Sequence, residues 1–300
     1  MTAYSSRLRR DGTAIYLFHG VIEKQTTPVR NYTRKHLPVD DFAAILRDLS
    51  QHGTAVSMEE VRAGTDDGRA LPPNAFAITF DDGFENNYTI AAPVLSDMGI
   101  PATFYITTDF IENNTMSWID RIELAVEQSP PAAVRLPFGE RRFDGAESKR
   151  AVLDEIRFHV KKDPALNAGD VASDVQRQLI GEEVFSTDHV LDRKMNWDQV
   201  RSLGTAGDFI VGGHSHTHPI LSFLDDGALD REVETSLSLL ERNTGETPTH
   251  YSYPEGQAHC YDDRVIGALK AAGIRCCPTA EDGTNPPGTD LFLLKRIMVA

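Results

Sequence analysis

The chain has 300 residues, 40% hydrophobic and 25% charged, an ordinary globular usage that excludes a disordered or fibrous protein. No apolar run reaches the roughly 18 residues that a membrane-spanning helix needs. Thirty Lys+Arg against 45 Asp+Glu leave a net charge of -15, which repels phosphate backbones and anionic lipid and argues against nucleic-acid and membrane-surface partners.

The first twenty residues include basic side chains, but the apolar stretch Ala14–Phe18 is too short for a signal segment and no small-residue cleavage site follows it. A cytoplasmic protein is expected. β-branched and aromatic runs then recur at Ala14–Val21, Ala75–Phe80, Ala102–Thr107, Phe209–Gly213, His250–Tyr253, Ile274–Cys277 and Leu291–Val299. Between them lie segments of helical periodicity at Val39–Gln51, Asn87–Met98, Trp197–Leu203, Gly227–Asn243 and Asp262–Ala272. SQHG, SDMG and KAAG read as glycine stops with the left-handed helix cap. Strand–helix alternation predicts parallel strands with crossover helices, and strands apolar on both faces predict a doubly covered sheet.

From about Glu112 to Val190 the rhythm breaks into charged, mostly helical patterns interrupted by Pro130, Pro131 and Pro164. The segment reads either as a helical cap inserted between two strands or as two long crossover helices. One catalytic domain over 1–300, with an insertion at about 112–190, is the expected organisation. Cys276 and Cys277 are adjacent, a poor geometry for a bridge, and Cys260 stands alone. Without CxxC spacing a structural zinc knuckle is not expected.

Two clusters carry chemistry. In Thr79-Phe80-Asp81-Asp82-Gly83 two carboxylates follow an apolar run. Strand neighbours point to opposite faces, so both reach one site only where the strand ends and the chain turns, as Gly83 permits. The bland alternative is a solvated acidic turn or helix cap. In Gly212-Gly213-His214-Ser215-His216-Thr217-His218-Pro219, three of the ten histidines fall within five residues, directly after an apolar run. A helical turn would align His214 with His218, and a strand would align His214 with His216. Imidazoles this dense suit a divalent transition metal, and two of them with one carboxylate leave positions open for water, as in catalytic sites.

TFDDG, then HSHTHP, then Tyr253-Pro254-Glu255-Gly256 resemble the motifs of the polysaccharide deacetylases, carbohydrate esterase family four with the NodB-homology fold. ENNYTIAAPVLSDMGIPATFYITTDFI and NWDQVRSL with FIVGGHSHTHPILS resemble its framing segments, so the likeness runs from about Ala14 to Val299. The resemblance implies an α/β fold: a distorted (β/α)7-type barrel, related to the TIM barrel. It implies Asp82, His214 and His218 as ligands of a divalent metal, Zn2+ first, with Co2+, Ni2+ or Fe2+ as alternatives. It implies Asp81 as the base that takes a proton from the metal-bound water, and Ser215 as a brace of the metal loop. His216 falls on a variable position and is not expected to ligate. Tyr253, Pro254, Glu255 and Gly256 would wall the groove, with the Glu255 N–H on the oxyanion. Trp118, with Asp120 in MSWID, would line the groove or simply pack.

The pattern departs in three places. Ser252 stands where the family has an arginine that orients the base, the usual aspartate–tryptophan element is missing, and LFLLKRIMVA ends the chain with Lys295 and Arg296 but no histidine. Some members place the histidine strand first, and Ile15–His19 resembles that strand. This implies His19 as the acid that protonates the leaving amine, with His36, His250 and His259 as lesser candidates. The expected function is metal-dependent removal of an N-acetyl group from an amino sugar. The absent export signal points to a nucleotide- or lipid-linked precursor of a surface glycan. The alternatives are a deformylase or cyclic-amide hydrolase on the same site, or a non-catalytic glycan-binding protein with a degenerate site.

Overall fold

A strand whose residues of both parities are apolar has no face to give to water. β1 (Thr13–Phe18) meets this condition, with all six residues buried. The computed structural model describes residues 3–25, 27–66 and 68–300. After β1 come β2 (Gly20–Ile22), β3 (His36–Pro38), α1 (Val39–His52), β4 (Thr54–Ala55), α2 (Met58–Asp66) and β5 (Ala75–Phe80). A π-helical turn, Asn87–Ala91, leads into α3 (Ala92–Asp97) and then β6 (Ala102–Ile106), α4 (Thr108–Asn113), α5 (Trp118–Gln128), β7 (Ala132–Leu136) and β8 (Gly139–Phe143). The remainder is α6 (Ala146–Val160), α7 (Ala168–Ile180), α8 (Trp197–Thr205), β9 (Phe209–Gly213), α9 (Asp226–Thr244), α10 (Asp263–Ala271) and β10 (Ile297–Met298).

The main sheet has the order β10-β1-β5-β6-β9, with β4 on the early end of β5, and every pair in it is parallel. This is the expected α/β architecture, but its regular ladder does not close. Beyond β9 the wall continues through single parallel bridges, Gly213 to Tyr251 and His250 to Cys276. Backbone bonds from Cys277 to Leu291 and from Thr279 to Leu294 carry it onward. The expected strands at His250–Tyr253 and Ile274–Cys277 therefore form only bridges, and Leu291–Val299 shrinks to β10. Loop residues between these segments interrupt the even spacing of parallel ladder bonds.

Among the glycine stops, Gly99 and Gly273 are left-handed as expected, but Gly53 is extended, φ −151°. The chain runs straight from α1 into β4 there, and a Cβ on Gly53 would lie 2.3 Å from the Asn74 carbonyl oxygen. That glycine serves close approach instead of a turn.

Register decides what shares a level. Phe18 pairs with Phe80, and Phe80 with Phe104. Their rings stack across three strands, with centroids 5.4 and 5.0 Å apart. This apolar floor ends the strands together, so His19 and Asp81 follow at one edge, joined by the Asp81 N–H donating to the Phe18 carbonyl at 3.1 Å. β9 ends at the same edge with His214. Sites in parallel α/β sheets form at this carboxyl edge.

The chain divides into two compact units. The first, 1–24, 35–114 and 194–300, contains the sheet. The second, 25–34 and 115–193, has its own apolar core, including Ile122, Val126, Val134, Leu153, Ile156 and Val175. It contains α5, α6 and α7 but also the antiparallel hairpin β7–β8, within a segment whose pattern is mostly helical. Within it the α5 acids hold the 29–31 backbone: Glu127 accepts from the Val29 and Arg30 N–H groups, and Glu123 from Asn31. Among the described residues no helix is long and apolar enough to cross a membrane. All three cysteines are buried and free.

A Cβ on Gly213 would lie 2.4 Å from the Tyr251 ring. The Tyr251 hydroxyl accepts from the Ser215 N–H at 2.8 Å and meets Ser236 Oγ at 3.0 Å. Gly213→Ala is therefore expected to overpack this contact and to cost about 1–3 kcal/mol in denaturant unfolding.

Candidate metal centre

Asp82 and His218 are both left-handed, with φ of 76° and 63°, and so is Ser215 at 65°. None is glycine, so each holds a sparsely populated conformation that the surrounding structure must enforce. After β9 the chain takes neither a helical turn nor a strand: the left-handed Ser215 folds it back, and Ser215 Oγ accepts from the His218 N–H at 2.9 Å. Pairwise strand or helix periodicity thus does not align the histidines; a tight loop does.

The result is one cluster. Asp82 Oδ1 lies 3.3 Å from His218 Nε2 and 3.7 Å from His214 Nε2. Donor atoms of all three residues lie within 4.8 Å of one another. Asp82 Oδ1 is buried and no hydrogen-bond donor is aligned on it. His214 Nδ1 lies 2.8 Å from the Ser252 carbonyl oxygen, which can only accept, so Nδ1 carries the proton and Nε2 presents its lone pair to the cluster. Burial pushes His214 down to about 4, which keeps it neutral near pH 7. Burial would raise Asp82, but Lys35 and His218 outweigh it and hold its carboxyl well below the usual carboxylate range. Burial would likewise lower His218, yet the Asp82 contact prevails and raises it. A buried carboxylate oxygen without a donor, faced by two imidazole nitrogens, is a donor set that fits a divalent transition metal.

Asp81 lies alongside, with Oδ2 3.8 Å from His214 Nε2. Both its oxygens are taken by Arg296, whose two terminal nitrogens donate at 2.8 Å each. Ser252 Oγ adds a bond at 3.2 Å, and Arg296 Nε is anchored on the Thr279 carbonyl at 2.6 Å. Arg296 is only 1% exposed. Burial would raise Asp81, but the Arg296 charge and bonds with His214 outweigh it, so its carboxyl lies below the usual value of 3.8.

Arg296 carries a role that no motif in the sequence assigns to it. Its guanidinium reaches Asp81 from the segment before β10. Its signal was an arginine inside the apolar run LFLLKRIMVA, where a buried guanidinium needs a buried carboxylate.

The other expected residues fall in different places. His19 sits between β1 and β2, partly exposed, with its carbonyl accepting from Asn87 Nδ2 at 2.7 Å. Burial pushes its pKa down, while Asp82 and Asp81 act on it in the opposite sense. Tyr253 does not wall an open groove: its ring is fully buried, stacks on Tyr261 with centroids 4.5 Å apart, and its hydroxyl donates to the Phe292 carbonyl at 3.2 Å. The neighbouring Pro254 is also buried. Glu255 is left-handed, φ 60°, and its charge acts on His218. Gly256 donates its N–H to Pro254 at 2.7 Å, and a Cβ there would lie 2.6 Å from the Ala280 nitrogen, so it serves the turn. His216 Nδ1 pairs with Thr108 Oγ1 at 2.9 Å, outside the cluster. His250 pairs with Glu59 at 3.0 Å, and His36 with Asn86 at 3.1 Å. His259 lies beside Cys260, its Nε2 3.6 Å from the sulfur. Trp118 opens α5 in the second unit and packs against that unit's core.

Comparison with known proteins gives a consistent picture. The chain matches a family model described as polysaccharide deacetylase over residues 68–136 and 175–277, more than half its length. No curated protein sequence matches it. Its fold is similar to IcaB from Ammonifex degensii, at 18% identity over 98% of this chain and 94% of that one, TM-score 0.61. It is also similar to the Streptococcus pyogenes deacetylase PplD, solved with acetate, at 14% identity over 96% and 92%, TM-score 0.61. A de-N-acetylase from Aggregatibacter actinomycetemcomitans matches at 15% identity over 96% and 95%, TM-score 0.62. At these identities the likeness is one of fold.

Removing one member of a buried ion pair leaves the other uncompensated. Arg296→Met is expected to destabilise the protein by about 3–5 kcal/mol at pH 7, with Asp81→Asn in the same chain restoring much of it. Because the folded carboxyl lies below 3.8, the pair's contribution is complete above that pH and is lost as pH falls through the folded value. Denaturant unfolding should therefore show the wild-type advantage narrowing in acid.

Proposed function

The chain belongs to the polysaccharide deacetylase family, and from that membership we propose that it is a metal-dependent N-deacetylase of acetylated amino sugars. The observation that carries the reading is the convergence of Asp82, His214 and His218 within 4.8 Å, with Asp81 fixed beside them by Arg296. Asp82, His214 and His218 would hold the cation. When bound, a divalent cation supplies Lewis acidity to the acyl carbonyl and lowers the pKa of water to about 7.

The protein's own groups divide the remaining work. Asp81, kept ionised and oriented by Arg296, takes the proton from the attacking water; its low basicity suits a water already made acidic. The C–N bond of the tetrahedral adduct then breaks, and His19 protonates the departing nitrogen. Acetate and a free amine are the products, and the water supplies the hydroxyl and hydrogen gained. Glu255, left-handed and near enough for its charge to act on His218, would offer its N–H to the developing oxyanion; one such donor is worth about 3 kcal/mol.

Arg296 also bears on the rival reading of a degenerate site. The absent arginine at Ser252 and the absent late histidine motivate that reading, and Arg296 meets the first need from the segment before β10. A deformylase or cyclic-amide hydrolase would use the same groups, and the substrate separates them.

Elemental analysis and amine release from N-acetylated amino sugars test the reading. The substrates are oligosaccharides and nucleotide-linked sugars, assayed beside N-formyl and ring-amide compounds. Wild type should contain about one divalent metal per chain and release acetate, while Asp82→Ala and His214→Ala should lose both. His19→Gln should keep the metal and lose about 10²–10⁴-fold in kcat. Metal retained without amine release from any acetylated sugar would defeat the deacetylase reading.

A further inference from the structure

The Asp82 carboxylate is divided between two environments. Oδ1 faces the two imidazoles, whereas Oδ2 lies 3.3 Å from Lys35 Nζ. Lys35 is not a surface lysine caught in passing. Its side chain is only 16% exposed, and its ammonium lies 4.7 Å from the Phe84 ring centroid. Its carbonyl accepts the Gly20 N–H at 3.2 Å, next to the pairing of β2 with β3. The left-handed Asp82 backbone and the buried Asp82 side chain fix the other half of the contact.

We propose that Lys35 holds Asp82 as a one-oxygen ligand and, by its charge, weakens the site's hold on its cation. This rests on the metal reading above. Two physical effects act together. An ammonium has three donors and no lone pair, so it cannot ligate, but it occupies the Oδ2 lone pair that a second metal–oxygen bond would use. A bidentate carboxylate would fill one more coordination position, and keeping Oδ2 away leaves that position to water and substrate. The ammonium also repels a dication at short range in a site where screening is weak. Lys35 is thus a positioning residue that gives up affinity to keep coordination open, and its place just before β3 ties it to the β2–β3 pair.

Cobalt titration reads both effects without turnover. Metal-stripped wild type, Lys35→Met and Lys35→Arg are titrated with Co2+ and followed by calorimetry and visible absorption. Lys35→Met should bind at least about tenfold more tightly. Its cobalt bands should weaken as Oδ2 enters and coordination number rises. Lys35→Arg keeps the charge and should bind Co2+ no more tightly than wild type, with no weakening of the bands. Equal or weaker binding by Lys35→Met with an unchanged spectrum would overturn the inference, as would Arg behaving like Met. In either case, wild-type cobalt binding would leave the metal reading standing. Wild type that takes up no Co2+ would overturn both.

Discussion

Arg296 and Asp81 lie against each other in two parallel bonds of 2.8 Å at the carboxyl edge of the sheet, the arginine only 1% exposed. Taking such charges out of water costs several kcal/mol per ion, so the pair persists only because nearly every donor and acceptor on it is used. Thr279 takes the guanidinium Nε, and Ser252 supports the carboxylate. Ser252 in turn presents the carbonyl that sets the His214 tautomer. One buried pair therefore joins β5, the bridge segment at 250–252 and the segment entering β10. These are places where the parallel ladder alone makes few bonds, and the ion pair and its satellites supply connections there.

Four of the eight left-handed non-glycine residues among those described lie at the same edge. Asp82, Ser215, His218 and Glu255 all adopt φ between 60° and 76°. A left-handed conformation at non-glycine residues persists only when packing over-determines it. Here the aromatic floor of Phe18, Phe80 and Phe104 supports the strand ends, and Tyr251 and Ser215 hold the histidine loop from either side. The rigid strands locate the donors, and the strained turns aim them.

Asp81 and Asp82 are identical side chains in different surroundings. Both are ionised by nearby cations, but one cation is a planar fork that grips both oxygens and the other is an ammonium that meets one. Asp81 is held still, and Asp82 keeps an oxygen buried with no aligned donor. Chain neighbours acquire this asymmetry from residues 215 and 47 positions away.

Most strands and helices of the sheet-bearing unit are legible in the sequence, because parallel strands buried on both faces and amphipathic crossover helices leave strong local patterns. α1, β5, β9 and α9 fall within a residue or so of the expected bounds. The paired carboxylates and clustered histidines are legible for the same reason, since TFDDG and HSHTHP are short contiguous signals. What the sequence determined by itself is therefore the fold class and the chemical identity of the central donors. The tertiary structure decided the rest: that Arg296 pairs with Asp81, that Lys35 meets the second oxygen of Asp82, that Tyr253 faces the core, and that a hairpin lies within the second unit. Strand register and left-handed turns bring distant residues to one edge, and neither leaves a periodic trace in the chain.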